Sequence, residues 1–380
     1  MEQHLYEPVH DDFRALCREF LAREAVPHHE RWEREGIVDR EVWRKAGAAG
    51  LLGMDVPAEY GGGGQPDFRF NAVLVEEIIA AGATGLGFGL HNDIVGPYLT
   101  DLTTDEQRKR WLPGFCSGDI VTAIAMSEPG AGSDLAGVRT NAVRDGESYV
   151  INGQKTFITN GDQADLVVVV AKTAPEQGAH GVSLIAVERD TPGFTRGRRL
   201  AKVGLKASDT AELFFDDCRV PAGNLLGTEN HGFYHLMANL PRERLSIAVA
   251  AVAAAERILA LGLDYARTRQ AFGRPIGRFQ HNRFLLAELS TEVTIARTFV
   301  NHCVGELNAQ RLSPVDAAMA KWWTTELQNK VADRCVQLHG GYGYMLEYPV
   351  ARAWLDSRVQ TIYGGTTEIM KEIVSRGLDL

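Results

Sequence analysis

The chain is poor in the features that mark several protein classes. Its five cysteines, Cys17, Cys116, Cys218, Cys303 and Cys335, lie far apart. No CxxC and no Cys/His cluster at metal spacing occurs, so no metal site is expected. The cysteines read as reduced core thiols of a cytoplasmic protein. There is no block of five or six Lys/Arg, and 40 basic against 49 acidic residues leave a net charge of −9. That balance argues against a nucleic-acid partner. The longest apolar run, Ile247 to Ala255, is alanine-rich and too short to span a bilayer, so no membrane association is expected. The N-terminal stretch MEQHLYEPVHDDF is acidic and polar, unlike a signal peptide. No GxGxxG follows a strand, and EYGGGGQP reads as a loop, which leaves a dinucleotide fingerprint unsupported.

What is present is ample core material. With 380 residues and 45% apolar composition, two or three domains are expected. Residues 1–120 read as helical. HDDFRALCREFLAREAV sets Phe13, Leu16, Cys17, Phe20 and Leu21 on one stripe, and DREVWRKAGAAGLLGM, FRFNAVLVEEIIAAGA and TTDEQRKRWLPGF predict further helices. Across 121–230 the texture changes to short β-branched or aromatic runs separated by RDGE, NG and DTPG, the pattern of an antiparallel β domain. From 231 to 380 long helical patterns return. The fold class expected is therefore α+β and multidomain, in the order helices, β domain, helices.

Four stretches carry polar chemistry, and each also has a plain structural reading. MSEPGAGSD (126–134) combines glycines that admit close backbone approach with the hydroxyls of Ser127 and Ser133; it is equally a turn-rich surface loop. In KTFITNG, Phe157 and Thr159 are two apart on a strand, hence on one face, where they could flank a flat heterocycle or simply pack a sheet. In RTRQAFGRPIGRFQ, Arg269 and Phe272 lie one helical turn apart, suited to a phosphate and a ring, or to a helix end with its glycine stop. In QLHGGYGYMLEYPVARAWLD, three glycines in four positions can present main-chain N–H groups, or make an inter-helix turn. His339 there has no second histidine at ligand spacing and reads as structural.

The order of these four stretches and the helix–β–helix layout resemble the acyl-CoA dehydrogenases over essentially the whole chain. AMSEPGAGSDLAG and QLHGGYGYMLEYPVARAWLD match the two family signatures. The resemblance implies a helical N-terminal domain (1–120), a middle β-barrel-like domain (121–230) and a C-terminal four-helix bundle (231–380). It implies FAD between the last two. Ile124, Met126, Ser127, Phe157 and Thr159 are then expected around the isoalloxazine, where many relatives have tryptophan in place of Phe157. Ser133 is expected at the CoA part of the thioester. Arg269, Phe272, Gln280, Gln337 and Gly341 are expected at the ADP half of a flavin held largely by a neighbouring subunit. Thr366 and Glu368 are expected at the pyrophosphate and ribose; read locally, they are a helix cap and a first-turn acid.

The reaction so implied is α,β-dehydrogenation of an acyl-CoA thioester. A base takes the pro-R α-proton while the β-hydrogen leaves as hydride. Many family members carry that base directly after the tyrosine of IYGGTTEIM, where this chain has Gly364. Long-chain and isovaleryl-CoA dehydrogenases instead supply a glutamate from the bundle, and LPRERLSIA resembles that helix in the long-chain branch, with Glu243 at the matching position. Glu243 also shares a helical stripe with Ile247, Ala250, Ala251, Ala254 and Ile258, although after Pro241 it reads equally as a first-turn acid. On this resemblance the space at Gly364 is filled by substrate and by the carboxylate from the other helix. The Gly364 N–H polarises the thioester carbonyl beside Gly365, and Arg244 holds the CoA portion. An electron-transfer flavoprotein and a homotetrameric assembly are implied as partners. A carrier-protein dehydrogenase or flavin oxidase on the same fold, and a non-catalytic CoA- or lipid-binding protein, are the rivals.

Overall fold

The computed structural model describes residues 5–378, so the first four residues of the polar N-terminal stretch lie outside it. Helix α1 (Pro8–Glu24) buries Cys17, Phe20 and Leu21 of the predicted stripe and leaves Leu16 at its exposed edge. It is followed by α2 (Val26–Glu35), α3 (Arg40–Ala48) and α4 (Phe68–Ala81). Helix α4 is buried almost all round, because α1 covers one side and the C-terminal helices the other. A π-helical turn, Leu90–Val95, leads into α5 (Gly96–Asp101) and α6 (Asp105–Ser117). Thr104 and Gln107 form a reciprocal cap at the start of α6. His91 anchors the π turn: it stacks on Phe115 at 3.8 Å and bonds the Thr122 hydroxyl and the Phe115 carbonyl. Burial pushes its pKa down to about 3, so it stays neutral.

The middle domain holds β1 (Thr122–Ala125), β2 (Asn141–Asp145), β3 (Ser148–Thr159), β4 (Leu166–Lys172), β5 (Val182–Glu188), β6 (Phe194–Arg199), β7 (Thr210–Pro221) and β8 (Leu225–Leu226). Their order is β6-β7-β3-β2-β4-β5-β8, with β1 also paired to β4. Most pairs are antiparallel as expected, but β4 takes β1 and β2 as parallel neighbours, so the sheet is mixed. The unbroken apolar run LVVVVAK of β4 is what a strand buried on both faces requires.

The C-terminal region comprises α7 (Gly232–Thr268), a small hairpin of β9 (Gln270–Ala271) and β10 (Arg274–Pro275), α8 (Gln280–Asn308), α9 (Pro314–His339), α10 (Pro349–Ser357) and α11 (Thr367–Arg376). Helices α7, α8 and α9 pack on one another, and α11 packs on α9. Two expectations are corrected here. Helix α7 does not start at Pro241 but at Gly232, about two and a half turns earlier, with the proline inside it. Glu243 is therefore no first-turn acid. The apolar part of α7 is also long enough to cross a membrane, but 72% of that stretch is buried inside the protein, as the central helix of a bundle must be. All five cysteines are free and buried.

Asp356 on α10 ties the three regions together. One oxygen accepts from the Thr84 hydroxyl at 2.7 Å and the other from the Leu205 N–H at 2.6 Å. Removing it leaves two donors without their acceptor at a three-way junction. Asp356→Ala is therefore expected to cost about 3 kcal/mol. Thermal unfolding checks this; an unchanged midpoint would show that the junction is held by apolar packing alone.

Candidate active site

Glu243 sits on the buried face of α7, 4% exposed. Its Oε1 accepts a hydrogen bond of 2.8 Å from the hydroxyl of Tyr98, which is itself fully buried on α5. Burial pushes the Glu243 carboxyl up to about 7, against the opposing pull of the Tyr98 hydroxyl and the Arg244 charge. One turn further along α7, Ser246 donates to Asp93 of the π turn, whose other oxygen accepts from Asn71 at 2.7 Å. Two polar ties thus fasten the segment 90–99 to α7.

The expectation for Gly364 needs correction. Its backbone is left-handed, φ +62°, and a Cβ there would lie 2.3 Å from Cδ1 of Ile247. The place of a side chain at 364 is taken by Ile247, one turn beyond Glu243, rather than by the carboxylate itself. Gly365 is also left-handed, φ +97°, and its carbonyl accepts from Lys321 Nζ at 2.6 Å. Lys321 is fully buried, and burial together with the nearby Arg244 charge pushes it down to about 8. Arg244 is enclosed as well, 6% exposed, with its Nε lacking a partner. It is not a surface arginine.

The side-chain environment expected for an isoalloxazine is drawn from the edge of the sheet. Ile124 is buried in β1, with Met126 and Ser127 half-buried just beyond it. The strand β3 does not alternate simply through Phe157 and Thr159. It bulges between Lys155 and Ile158, and Phe157 has φ +60°. One extra residue re-aims the ring, which is why Phe157 is 70% exposed between buried Thr156 and Ile158. Thr159 is half-buried on the far side of Ile158. A buried ion pair fixes this bulge to the preceding loop. Lys155 Nζ donates to Glu128 at 2.8 Å and to the Met126 carbonyl at 3.1 Å, and Glu128 also accepts from the N–H groups of Arg139 and Thr140. Ser133, in the same glycine-rich loop, is exposed.

Around the end of α9 a cavity of about 410 Å³ is lined by Arg269, Gly341, Tyr265, His339 and Tyr342 among others. Arg269 and Gly341 are thus brought together as expected, with Gln337 exposed nearby on α9. Arg269 and Phe272 are not one helical turn apart. Helix α7 ends at Thr268, Arg269 is extended, and Phe272 lies at the tip of the β9–β10 hairpin with φ +51°, 95% exposed. Gln280 opens α8 and is exposed. His339 is structural, bonded to the Cys335 carbonyl at 2.7 Å and stacked on Tyr265. Thr366 caps α11 by accepting from Ile369 N–H, and Glu368 is exposed in its first turn. Tyr98, Lys321 and the Lys155–Glu128 pair escaped sequence reasoning, because each depends on a partner far away in the chain.

A helical domain, a sheet domain and a helical bundle, with a carboxyl buried on the bundle beside a buried tyrosine, define the class as a three-domain fold with an enclosed acid group. Comparison with known proteins makes the class specific. Family models for the acyl-CoA dehydrogenase N-terminal, middle and C-terminal domains match residues 7–119, 123–218 and 230–378. The chain is 51% identical over 374 residues to the mitochondrial long-chain specific acyl-CoA dehydrogenase of Sus scrofa, covering 98% of this chain and 87% of that protein. Among solved structures, an acyl-CoA dehydrogenase from Geobacillus kaustophilus superposes with a TM-score of 0.98 at 51% identity, each chain covered completely. A glutaryl-CoA dehydrogenase from Mycobacterium smegmatis in complex with FADH2 gives 0.90 at 28% identity, covering 98% of this chain and 95% of that one. The chain belongs to the acyl-CoA dehydrogenase family and is an oxidoreductase of it.

The Ile247 contact makes the position of the base a matter of space. In a Glu243→Gln background, Gly364→Glu is expected to restore little turnover, because Ile247 occupies the site and the backbone is left-handed. Adding Ile247→Ala is expected to raise kcat/KM by about tenfold, roughly 1.4 kcal/mol of barrier. Equal rates with and without Ile247→Ala would show that Ile247 is no obstacle.

Proposed function

We propose that this enzyme binds FAD and converts an acyl-CoA to its trans-2-enoyl-CoA, with Glu243 as the base. The observation that carries this is the pairing of a buried Glu243, held by Tyr98, with a Gly364 whose side-chain space is already filled. Where the acid is absent from one element it is present on the other.

The residues fit FAD on the structure's own terms. A bulged strand presents an exposed aromatic face at Phe157; half-buried Thr159 follows two residues later, and half-buried Ser127 is tied beside the strand by the Thr156 N–H, which donates to its carbonyl at 2.9 Å. A Cβ at Gly130, Gly132 or Gly341 would meet nothing within 4 Å, which leaves main chain open to close approach. Ile124, Met126, Ser127, Phe157 and Thr159 would hold the ring system. Thr366 and Glu368 would lie at the pyrophosphate and ribose. Arg269, Phe272, Gln280, Gln337 and Gly341 would hold the ADP half of a neighbour's flavin. Exposed Phe272, Tyr344 and Phe284 support the assembly, proposed as a homotetramer, that this sharing needs. When bound, FAD supplies the acceptor for the β-hydrogen and its electron pair.

The protein's own part is proton transfer and polarisation. Glu243 accepts the α-proton, and enclosure of the carboxylate among apolar α7 neighbours keeps it basic near neutrality. The Gly364 N–H would stabilise negative charge growing on the carbonyl oxygen, with Gly365 and Ser133 contacting other parts of the thioester substrate. Arg244, buried next to the base, would hold the CoA portion of the substrate. An electron-transfer flavoprotein is the proposed acceptor of the electrons, and the reduced, buried thiols support a cytoplasmic setting. Similarity to the long-chain relatives makes long acyl-CoAs the first substrates to test.

Anaerobic addition of acyl-CoAs of graded length is expected to bleach the flavin, with slow reoxidation by air. Rapid reoxidation would favour an oxidase, and a colourless preparation a binding protein. Glu243→Gln is expected to keep the flavin spectrum and lose turnover by roughly 10³-fold. Below its pKa the base is protonated and idle, so kcat/KM should rise with pH through about 7. A flat profile across that range would exclude Glu243 as the base.

A further inference from the structure

The Tyr98–Glu243 contact does more than satisfy a core hydroxyl. Both side chains are buried and meet at 2.8 Å. Tyr98 comes from α5, directly after a π turn, a local irregularity often found at functional sites. That segment is itself held in place on α7 by the second tie, Ser246 to Asp93. Burial and the neighbouring carboxylate keep the Tyr98 phenol protonated far above neutral pH, so it is always a donor toward Glu243. A carboxylate has two oxygens, and this donor engages one of them.

We propose that Tyr98 is a positioning residue for proton abstraction: its hydroxyl pins Oε1 of Glu243 and leaves Oε2 as the oxygen that meets the substrate's α-carbon. This rests on Glu243 being the base. The other groups around the carboxylate come from each packed element. Arg244 lies on α7 itself, and Lys321 of α9 lies next to Arg244 and is bonded to Gly365. Asp93 of the π turn is held by Ser246 and Asn71, and Arg242 is paired with Asp55 at 2.6 Å. None of these changes when only the phenol oxygen is removed.

The test is kcat/KM against pH for the flavin-loaded Tyr98→Phe enzyme, with thermal unfolding alongside. A hydrogen bond donated to the carboxylate lowers its pKa. Losing it should therefore move the ascending limb up by about one pH unit and cut activity at neutral pH about fivefold, with KM nearly unchanged. Replacing Tyr98 with 3-fluorotyrosine, a stronger donor of nearly the same shape, should move the limb down, and it keeps the test open if the phenylalanine variant is unstable. In a Glu243→Gln background, Tyr98→Phe should have almost no further effect on kcat. Limbs that stay fixed in both Tyr98 variants would overturn the proposal and leave Glu243 as the base. A wild-type enzyme that turns over acyl-CoA but keeps its activity in Glu243→Gln would overturn the base assignment first, and this proposal with it.

Discussion

A carboxyl group taken out of water is the constraint from which the rest of this site follows. An ionised carboxylate in an apolar helix face is strongly disfavoured unless something compensates it. Here compensation is partial. Tyr98 donates one hydrogen bond and Arg244 adds a nearby charge, but burial still dominates and holds the group near pH 7. Full compensation would make a stable, weak base. Partial compensation makes a base matched to neutral solution. The surrounding elements serve that balance. Helix α7 runs unbroken past Pro241 so that Glu243 stands on a rigid surface, α4 packs along the same helix, and the π turn leads into α5, which brings the Tyr98 hydroxyl to Oε1 of Glu243.

The second consequence is steric. A base can sit after the tyrosine or on the bundle helix, but the same small volume serves both. In this chain Ile247 occupies the space that a side chain at 364 would need, and Gly364 and Gly365 take left-handed backbone that other residues resist. The glycine pair is thus bound to the identity of residue 247 and, through α7, to that of residue 243. Lys321 closes the loop by holding the Gly365 carbonyl from α9. A buried lysine placed next to a buried arginine would be unstable without a strong acceptor, which the carbonyl provides.

Much of this was legible in the chain itself, and the failures have physical causes. Helices α1, α3, α4 and α6 follow from apolar periodicity and from the Thr104 cap, and the β texture from 121 onward marks the middle region. Glu243 was legible as a carboxylate on an apolar stripe. Phe233, Leu236, Met237 and Leu240 of HGFYHLMANL already form a helical stripe, but Pro241 imitates a helix start and so let Glu243 read as a first-turn acid. Simple alternation failed at Phe157, since a bulge is set by pairing with β7 and leaves no local signature. The hairpin after Thr268 failed for a similar reason: AFGRP reads as a helix stop, but the turn that follows depends on Phe272 adopting φ > 0. Tyr98 was hidden in GFGLHNDIVGPYL, a stretch whose local pattern does not reveal that its tyrosine meets a carboxylate 145 residues away.

Part of the misread backbone lies at the expected site. Left-handed backbone at Phe157, Gly364 and Gly365 falls at residues expected to meet the flavin and the thioester, and such backbone persists only where its surroundings hold it. Two buried lysines provide that hold. Lys155 clamps the bulged strand to the Met126 carbonyl and Glu128, and Lys321 clamps the Gly365 turn. Glu243, the proposed base, stands apart from this irregular backbone, on the longest regular element among the described residues. Irregular main chain offers N–H groups and ring faces that a helix would spend on itself. A helix offers a base whose position does not drift. The division of labour between clamped turns and one straight helix explains why local patterns disclosed the base and concealed much of what surrounds it.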